Sequence, residues 1–596
     1  MKIVFLGTPQ FAEIVLKKLI DNKQTICAVV CQPDAVNARN NTKIESPVKQ
    51  FALKNNLTVF QFENIDKEGA EVLKKLDADI FITVAYGQIL SQEILNIPKL
   101  GTVNVHGSLL PELRGATPIQ TAIANGQTKT GVSIVCSNAG IDSGDIMAKA
   151  EIVIEKEDTT LTLSQKLANE GASLLLQTLP HIQDGTAVKQ VQDESFATHT
   201  FQINKEESIL NFSLPATKLV NIIRALNPNP VAKIKLGEDS VKIYEAKAES
   251  TSQTGVVGKI LTADQKSGLK IQCKFGVLSI KSLQISGGKQ LDVKNFLCGN
   301  KLFHAGDVLP SQKSEGLVVS ASKNNYEAKM QFYNLTCTAK QQLTDSGIVV
   351  GDYVSCENDV ITKILPRKTK LIRPNIANLD QIFIVLAPIP EPDFLLVDKL
   401  LLFCFENGVT PILVINKYDM NGENLFLKTQ KTYSNVAKVI KSSAKTGDVT
   451  EIRNSIGKKM CGFAGQSAVG KSSIINALLP LSNQLVADVS EKILRGKNTT
   501  SGTTLFQVNR GWLADTAGFS ALDEKLLESP FFEIASYYPD FVAVAKDCKF
   551  KPCNHINEPD CAVKKAIKDG AISQERYQRY TQIFLSLKNM WEKNHG

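Results

Sequence analysis

The sequence predicts an α/β multidomain protein, and three observations carry that reading. The chain has 596 residues, whereas a single hydrophobic core stops growing at about 250–300 residues. Residues 1–200 alternate short apolar runs (Ile3–Phe5, Ala28–Val30, Asp79–Val84, Val132–Val135) with helical stretches such as Phe11–Ile20 and Glu68–Leu76. That is the rhythm of a doubly wound, Rossmann-like parallel sheet. The same rhythm returns over 371–525, so two α/β domains are expected.

Between and after them the pattern changes. From 205 to 310 short strands are separated by turns (Val231–Leu236, Ser240–Ala246, Gly255–Leu261, Leu269–Gln272, Gly276–Leu283), the pattern of a small β-barrel. Residues 311–315 sit in a polar, turn-rich stretch without periodicity and read as a linker. Residues 316–366 give short strands again (Gly316–Ser322, Gln331–Leu335, Asp352–Cys356), of the size of an OB-fold barrel. The tail, 526–596, reads as helical around a cysteine cluster.

Composition narrows the class. With 43% hydrophobic and 21% charged residues the chain has material for several cores. No apolar run reaches the roughly 20 residues that a transmembrane helix needs. Gly7 and Pro9 break the first apolar run too early for a signal-peptide core, so it reads as a first strand. The 12 cysteines are scattered apart from Cys548, Cys553 and Cys561, which speaks against a disulfide framework and for the cytoplasm. A net charge of +8 fits RNA contact without proving it.

In the first half the chemistry lies on Gly101-Thr-Val-Asn104-Val-His106-Gly-Ser108-Leu109-Leu110-Pro111. Asn104 and His106 are two apart on an extended segment, so their side chains share one face. Gly140-Ile-Asp142-Ser-Gly-Asp145 adds carboxylates on a glycine-rich loop. Alone, Asn104 reads as a turn residue and His106 as a satisfied core histidine. Together with Asp142 they suit acyl transfer to an amine: amide and imidazolium stabilise an oxyanion, and the carboxylate orients the imidazole and moves protons.

The stretch His106-Gly-Ser-Leu-Leu-Pro-Glu-Leu-Arg-Gly-Ala-Thr-Pro-Ile-Gln120 resembles methionyl-tRNA formyltransferases, as do Gly7-Thr-Pro-Gln-Phe11 and Gln32-Pro33-Asp34. The resemblance spans about residues 1–310. It implies that Asn104, His106 and Asp142 are catalytic. It also implies that Ser108, Leu109, Leu110 and Pro111 line the site for 10-formyltetrahydrofolate, the formyl donor. The acceptor it implies is methionyl-initiator-tRNA, met by Arg39 in the loop after Asp34 and by the barrel at 205–310. That loop lacks the family's usual glycines and has fewer cations, which implies a weaker grip on the acceptor stem. Sugar formyltransferases share the Asn-x-His site, so a nucleotide-sugar amine is an alternative acceptor; the Arg39 loop and the barrel speak against it.

The second half carries a GTP site in rotated order. Gly465, Gln466, Ser467, Ala468, Val469, Gly470, Lys471, Ser472 and Ser473 form a phosphate loop between the strand Met460–Ala464 and a helix. In such a loop backbone amides wrap the phosphates, Lys471 neutralises them and the Ser472 hydroxyl binds Mg2+. Asn416, Lys417 and Asp419 fit the N-K-x-D pattern that reads guanine, and Ser443, Ala444 and Lys445 the second guanine contact. Asp515 and Gly518 fit D-x-x-G. N-K-x-D precedes the phosphate loop here, whereas ordinary GTPases run the other way, so the domain is circularly permuted. Cys548-x4-Cys553-x-His555-x5-Cys561 has the ligands of a closed, structural Zn2+ site.

Barrel, permuted domain and Cys3His knuckle together resemble the small-ribosomal-subunit-dependent GTPase family RsgA over about 316–596. That resemblance implies GTP hydrolysis in late maturation of the small subunit, with the barrel and knuckle on ribosomal RNA. In the switch segment Gly496-Lys497-Asn498-Thr499-Thr500, the family's histidine is replaced by Asn498, and Phe519 stands where other GTPases place glutamine. Asn498 cannot act as a base but can orient a water, and Thr500 is expected on Mg2+ and the γ-phosphate. The chain thus reads as a bifunctional fusion acting in translation. The alternative for its second half is a weakly hydrolysing, GTP-gated ribosome-docking module.

Overall fold

The structure, a computed structural model, describes residues 1–36, 41–204, 206–250, 255–322, 325–345, 347–372, 374–479, 503–515, 527 and 529–595. It divides into two compact units, Met1–Ser314 with Gln331–Tyr333, and Glu315–Met330 with Asn334–Gly596.

The first unit is built on seven strands: β1 (Lys2–Gly7), β2 (Thr25–Cys31), β3 (Val59–Gln61), β4 (Ile80–Val84), β5 (Thr102–His106), β6 (Lys129–Cys136) and β7 (Ile146–Val153). They lie in the order β7-β6-β5-β4-β1-β2-β3. The strands from β5 to β3 run parallel, and β6 and β7 are antiparallel to their neighbours. Strands β1 and β4 are apolar on both faces, with Ile3, Phe5, Ile80 and Phe81 fully buried, because helices cover a parallel sheet from both sides. Helix α1 (Gln10–Asp21) buries Phe11, Val15, Leu16 and Leu19. Helix α2 (Thr160–Gln183) starts at a capping box between Thr159 and Thr162. Gly171 lets it approach the sheet: a Cβ there would stand 2.8 Å from Val105 and 2.9 Å from Val132. This contact presses α2 onto the strand that carries Asn104 and His106.

The helix expected over Glu68–Leu76 is instead two short helices, Ile65–Glu68 and Ala70–Lys74, divided at Gly69. A six-stranded antiparallel sheet follows, built mainly on Ala232–Leu236, Asp239–Glu249, Ile260–Asp264, Gly268–Gln272 and Val277–Ile285.

In the second unit β8 (Lys313–Ser322), β9 (Asn325–Lys329), β10 (Asn334–Ala339), β11 (Tyr353–Glu357) and β12 (Val360–Ile364) form a closed barrel, since β9 pairs with both β8 and β10 and the ring returns through β12 and β11. The linker expected at 311–315 is therefore partly strand, because β8 already begins at Lys313. The strand expected over Gln331–Leu335 straddles the turn between β9 and β10.

The sheet continues from β8 into β17 (Thr504–Val508), β18 (Gly511–Asp515), β16 (Met460–Ala464), β13 (Gln381–Leu386), β14 (Thr410–Ile415) and β15 (Lys438–Lys441). Strands β18, β16, β13, β14 and β15 are parallel. Among the last elements are helices α3 (Phe394–Glu406) in the α/β domain and, in the tail, α4 (Ala562–Lys568) and α5 (Gln574–His595). Among the described residues, no helix is long and apolar enough to cross a membrane.

Candidate functional site

The first site stands at the carboxyl ends of β1, β4 and β5, where strand order reverses and open α/β sheets leave a crevice. Asn104 pairs with Thr83 and Val135 across the sheet, and His106 with Ser133. Both side chains face the loop that carries Asp142. Asn104 Nδ2 donates to Asp142 Oδ1 at 3.0 Å, and Thr83 Oγ1 lies 3.1 Å from Asn104 Oδ1. That fixes which end of the Asn104 amide faces the carboxylate, leaving its second N–H free for a ligand.

His106 is buried, with 6% of its surface exposed. Its Nε2 is 3.0 Å from the Leu113 carbonyl, which can only accept, so Nε2 carries hydrogen. Nδ1 then faces Asp142 Oδ2 at 3.5 Å. Asp142 Oδ2 also accepts the Gly115 N–H at 2.9 Å. Asp142 has φ +49°, an uncommon conformation for a non-glycine residue.

Two cavities meet at this cluster. The smaller, about 150 Å³, is lined by Gln88–Leu90, residues 135–138 and 140–142, and the larger, about 580 Å³, by Phe11, Tyr86, His106, Ile119, Leu161 and Pro228 among others; Asn104 and Asp142 line both. The turn Ser108, Leu109, Leu110, Pro111, expected to line the folate site, belongs to neither lining. Ser108 and Leu110 are 1% exposed, and Leu110 packs with Val135 and Ile146. Ser133 Oγ pins the turn by donating to the Ser108 carbonyl and accepting the Leu110 N–H. Thr83, Leu113 and Gly115 were missed as site residues; Leu113 and Gly115 lay in a quoted motif but act through their backbone carbonyl and N–H, and Thr83 acts through a cross-strand contact that no local pattern encodes.

The second site joins three loops at the carboxyl ends of β13, β14 and β16. Gly465 has φ +127° and a Cβ there would strike the Val385 carbonyl; Gly470 has φ +96° and a Cβ there would strike Asn416. Ala468 also takes a positive φ of 65°. Lys471 Nζ donates to the Gly465 and Gln466 carbonyls at 2.6 and 2.8 Å. Burial pushes its ammonium below the ordinary lysine value, and an anion would relieve that cost. Ser467, Ser472 and Ser473 are exposed beside it, while Val469 is buried.

From β14, Asn416 Nδ2 donates to the Val469 carbonyl at 2.8 Å, and Lys417 Nζ to the Ile389 and Ala468 carbonyls. Ser443 Oγ donates to Asp419 Oδ1 at 2.6 Å, and the Ala444 N–H to Asn416 Oδ1 at 3.3 Å. Lys445 is exposed next to them, and Asp515 ends β18 exposed. The predicted loops therefore converge in the permuted order. Arg39, Asn498, Thr500, Gly518 and Phe519 lie outside the described residues.

The third site is the cysteine cluster. One ligand atom from each of Cys548, Cys553, His555 and Cys561 lies within 4.8 Å of all the others. Cys548 and Cys553 Sγ stand 4.0 and 3.9 Å from Cys561 Sγ, and His555 Nδ1 stands 3.3 Å from it. Tetrahedral zinc with bonds of about 2.3 Å to sulfur needs sulfurs roughly 3.8 Å apart, so the residues fit that ion. The Tyr577 and Tyr580 hydroxyls donate to the His555 and Asn554 carbonyls, fastening the knuckle to α5.

Comparison with known proteins places these sites in two families. Residues 1–179 match the formyl transferase family model, 202–301 the formyl transferase carboxy-terminal domain and 364–525 the RsgA GTPase. A methionyl-tRNA formyltransferase from Sulfurihydrogenibium sp. (strain YO3AOP1) is 42% identical over 304 residues, covering 51% of this chain and 98% of that protein. The chain belongs to the methionyl-tRNA formyltransferase family through its first half, to which an RsgA GTPase domain is joined. Among solved structures, YjeQ from Thermotoga maritima is 30% identical, covering 46% of this chain and 98% of its own, with a TM-score of 0.40. YloQ, a circularly permuted GTPase, is 27% identical, covering 47% and 96%, with a TM-score of 0.40.

Proposed function

We propose that the chain transfers a formyl group from 10-formyltetrahydrofolate to the amino group of methionyl-initiator-tRNA, and separately hydrolyses GTP on the small ribosomal subunit during its late maturation. Both partners place it in the cytoplasm. The observation that supports the first activity best is the convergence of Asn104, His106 and Asp142 where a small and a large cavity meet. The folate ring suits the small cavity and the aminoacyl end of tRNA the large one, whose Phe11, Ile119 and Leu161 suit a methionyl side chain.

Attack of the amine on the formyl carbon creates an oxyanion. The free N–H of Asn104 is one donor near it; the Nε2–H of His106 is held by the Leu113 carbonyl, so the second donor is the Nδ1–H of its imidazolium form, and oxyanion donors of this kind each contribute about 2.7–4 kcal/mol. The amine sheds one proton and the folate nitrogen gains one; Asp142, against both Asn104 and His106, is the group placed to move it. Formylation of methionyl-tRNA by the purified full chain, with 10-formyltetrahydrofolate as donor, tests this reading. A nucleotide-sugar amine accepted in place of the tRNA would overturn it.

For the second activity the supporting observation is the contact of Asn416 with the phosphate loop. Lys471 and the loop amides would hold the phosphates, Asp419 the guanine, and Ser472 with Thr500 would hold Mg2+, which supplies charge neutralisation. Cys548, Cys553, His555 and Cys561 would hold one structural Zn2+ that cross-links the tail. GTP turnover with and without small subunits tests this half.

A further inference from the structure

We propose that Gln192 is a positioning residue for formyl transfer, acting with the buried Arg114 that it holds. This rests on the formyl-transfer reading above. Gln192 is 6% exposed, and its amide is fully used. Nε2 donates to the Asp142 carbonyl at 2.8 Å and to the Gly144 carbonyl at 2.6 Å. Oε1 accepts from Arg114 Nε at 3.0 Å and Nη2 at 2.8 Å. Two donors and two lone pairs are all that a primary amide has. A carboxylate cannot make the first two bonds, and an apolar side chain can make none.

The two things Gln192 joins are the two sides of the reaction cluster. On one side is the loop 140–145, where Asp142 keeps φ +49°. On the other is Leu113–Arg114–Gly115, whose backbone supplies the acceptor for His106 Nε2 and the donor for Asp142 Oδ2. Arg114 is 2% exposed and pairs with Glu194 through Nη1 at 3.2 Å and Nη2 at 2.8 Å. A buried guanidinium needs such partners, so Arg114 cannot drift without stranding its charge. The same segment is held from its far side: the Leu113 N–H donates to Thr198 Oγ1, and Arg114–Gly115 pairs with His199–Thr200.

Gln192 therefore sets the distance between the loop carrying Asp142 and the segment orienting His106. Asp142 meets Asn104 and His106 together only at one such distance. A shift of about 1 Å at a reacting group can cost roughly a hundredfold in rate, whereas Gln192 lines neither cavity. Its loss should fall on turnover and spare substrate affinity.

The test uses the full chain with Gln192→Met, which keeps side-chain length and removes all four bonds, and Gln192→Glu, which keeps the acceptor and removes the donors. Tetrahydrofolate bound per chain, by equilibrium dialysis, counts intact sites. GTP turnover in the same molecule serves as an internal reference. Per intact site, kcat for methionyl-tRNA formylation should fall about 10–100-fold in both variants, with KM for tRNA nearly unchanged. A kcat per intact site equal to wild type overturns the proposal. So does a loss that appears only in KM for tRNA. If Gln192→Met binds no folate, Arg114→Lys decides by the same readout: it retains charge but lacks the fork that gives Arg114 paired bonds to both Gln192 and Glu194, and full kcat there overturns the proposal. A wild-type chain that does not formylate methionyl-tRNA would instead sink the reading on which this one rests.

Discussion

Asn416 Nδ2 donates to the Val469 carbonyl at 2.8 Å, so the segment proposed to read the base also holds the loop proposed to receive the phosphates. Gly470 is part of the same contact, because a Cβ there would strike the Asn416 amide. Circular permutation separates these residues along the chain in an unusual order, yet the contact survives, since it depends on the neighbouring strands β13, β14 and β16 and not on connectivity.

That contact predicts the behaviour of Asn416→Asp. The carboxylate would turn an oxygen toward the Val469 carbonyl in place of a donor. An unmet buried acceptor costs about 1–3 kcal/mol, so affinity for both GTP and GDP should fall at least about tenfold. Isothermal titration calorimetry measures both. A loss confined to GTP would show that Asn416 acts on the γ-phosphate side and not through the loop as a whole.

Either Asn104→Ala or His106→Ala should lower methionyl-tRNA formylation by at least about a hundredfold, because each removes a proposed oxyanion donor. GTP turnover should not change in either variant. Initial rates of formylation check this, and near-wild-type rates in either variant would remove that residue from the reaction.

Much of this site was legible in the sequence. Asn104 and His106 announce themselves by period-two spacing, and Asp142 by its glycine-rich loop. The cysteine cluster is local, so its spacing alone conveys its geometry. Gln192 and Thr83 were invisible because each acts through long-range side-chain contacts that leave no local pattern. Ser108–Pro111 was read as lining the folate site; within it Leu110 packs against Val135 and Ile146, while Leu109 and Pro111 stay partly exposed, a division between packing and contact that the run of apolar residues does not convey. Likewise the polar stretch before Gly316 conceals a strand, since β8 begins at Lys313.

Cys553→Ala should abolish zinc retention and loosen residues 546–566 while leaving GTP affinity intact. The cluster closes a local loop, and metal binding contributes directly to folding of such loops. Tyr577 and Tyr580 still tie the backbone to α5, so the tail should become protease-sensitive around the knuckle before the helix is lost. Elemental analysis should find one zinc per wild-type chain and none in the variant. A wild-type value near zero in freshly purified protein would exclude the zinc site.

The last prediction concerns Asn498, which lies outside the described residues and stands on sequence alone. The resemblance to RsgA implies a histidine at this position to place the attacking water, and Phe519 leaves no glutamine to do so. An asparagine amide can orient water by hydrogen bonding but cannot accept its proton in place of an imidazole. Asn498→His should therefore raise GTP turnover on small subunits with little change in GTP affinity, which the proposed site assigns to Lys471, Asp419 and the Asn416 contact. Turnover under saturating GTP, with and without subunits, separates the cases. Wild-type turnover near background that Asn498→His restores would make the native domain a GTP-gated docking module. Robust wild-type turnover on subunits, with no gain in the variant, would show that water is placed by another group and that this substitution does not weaken hydrolysis.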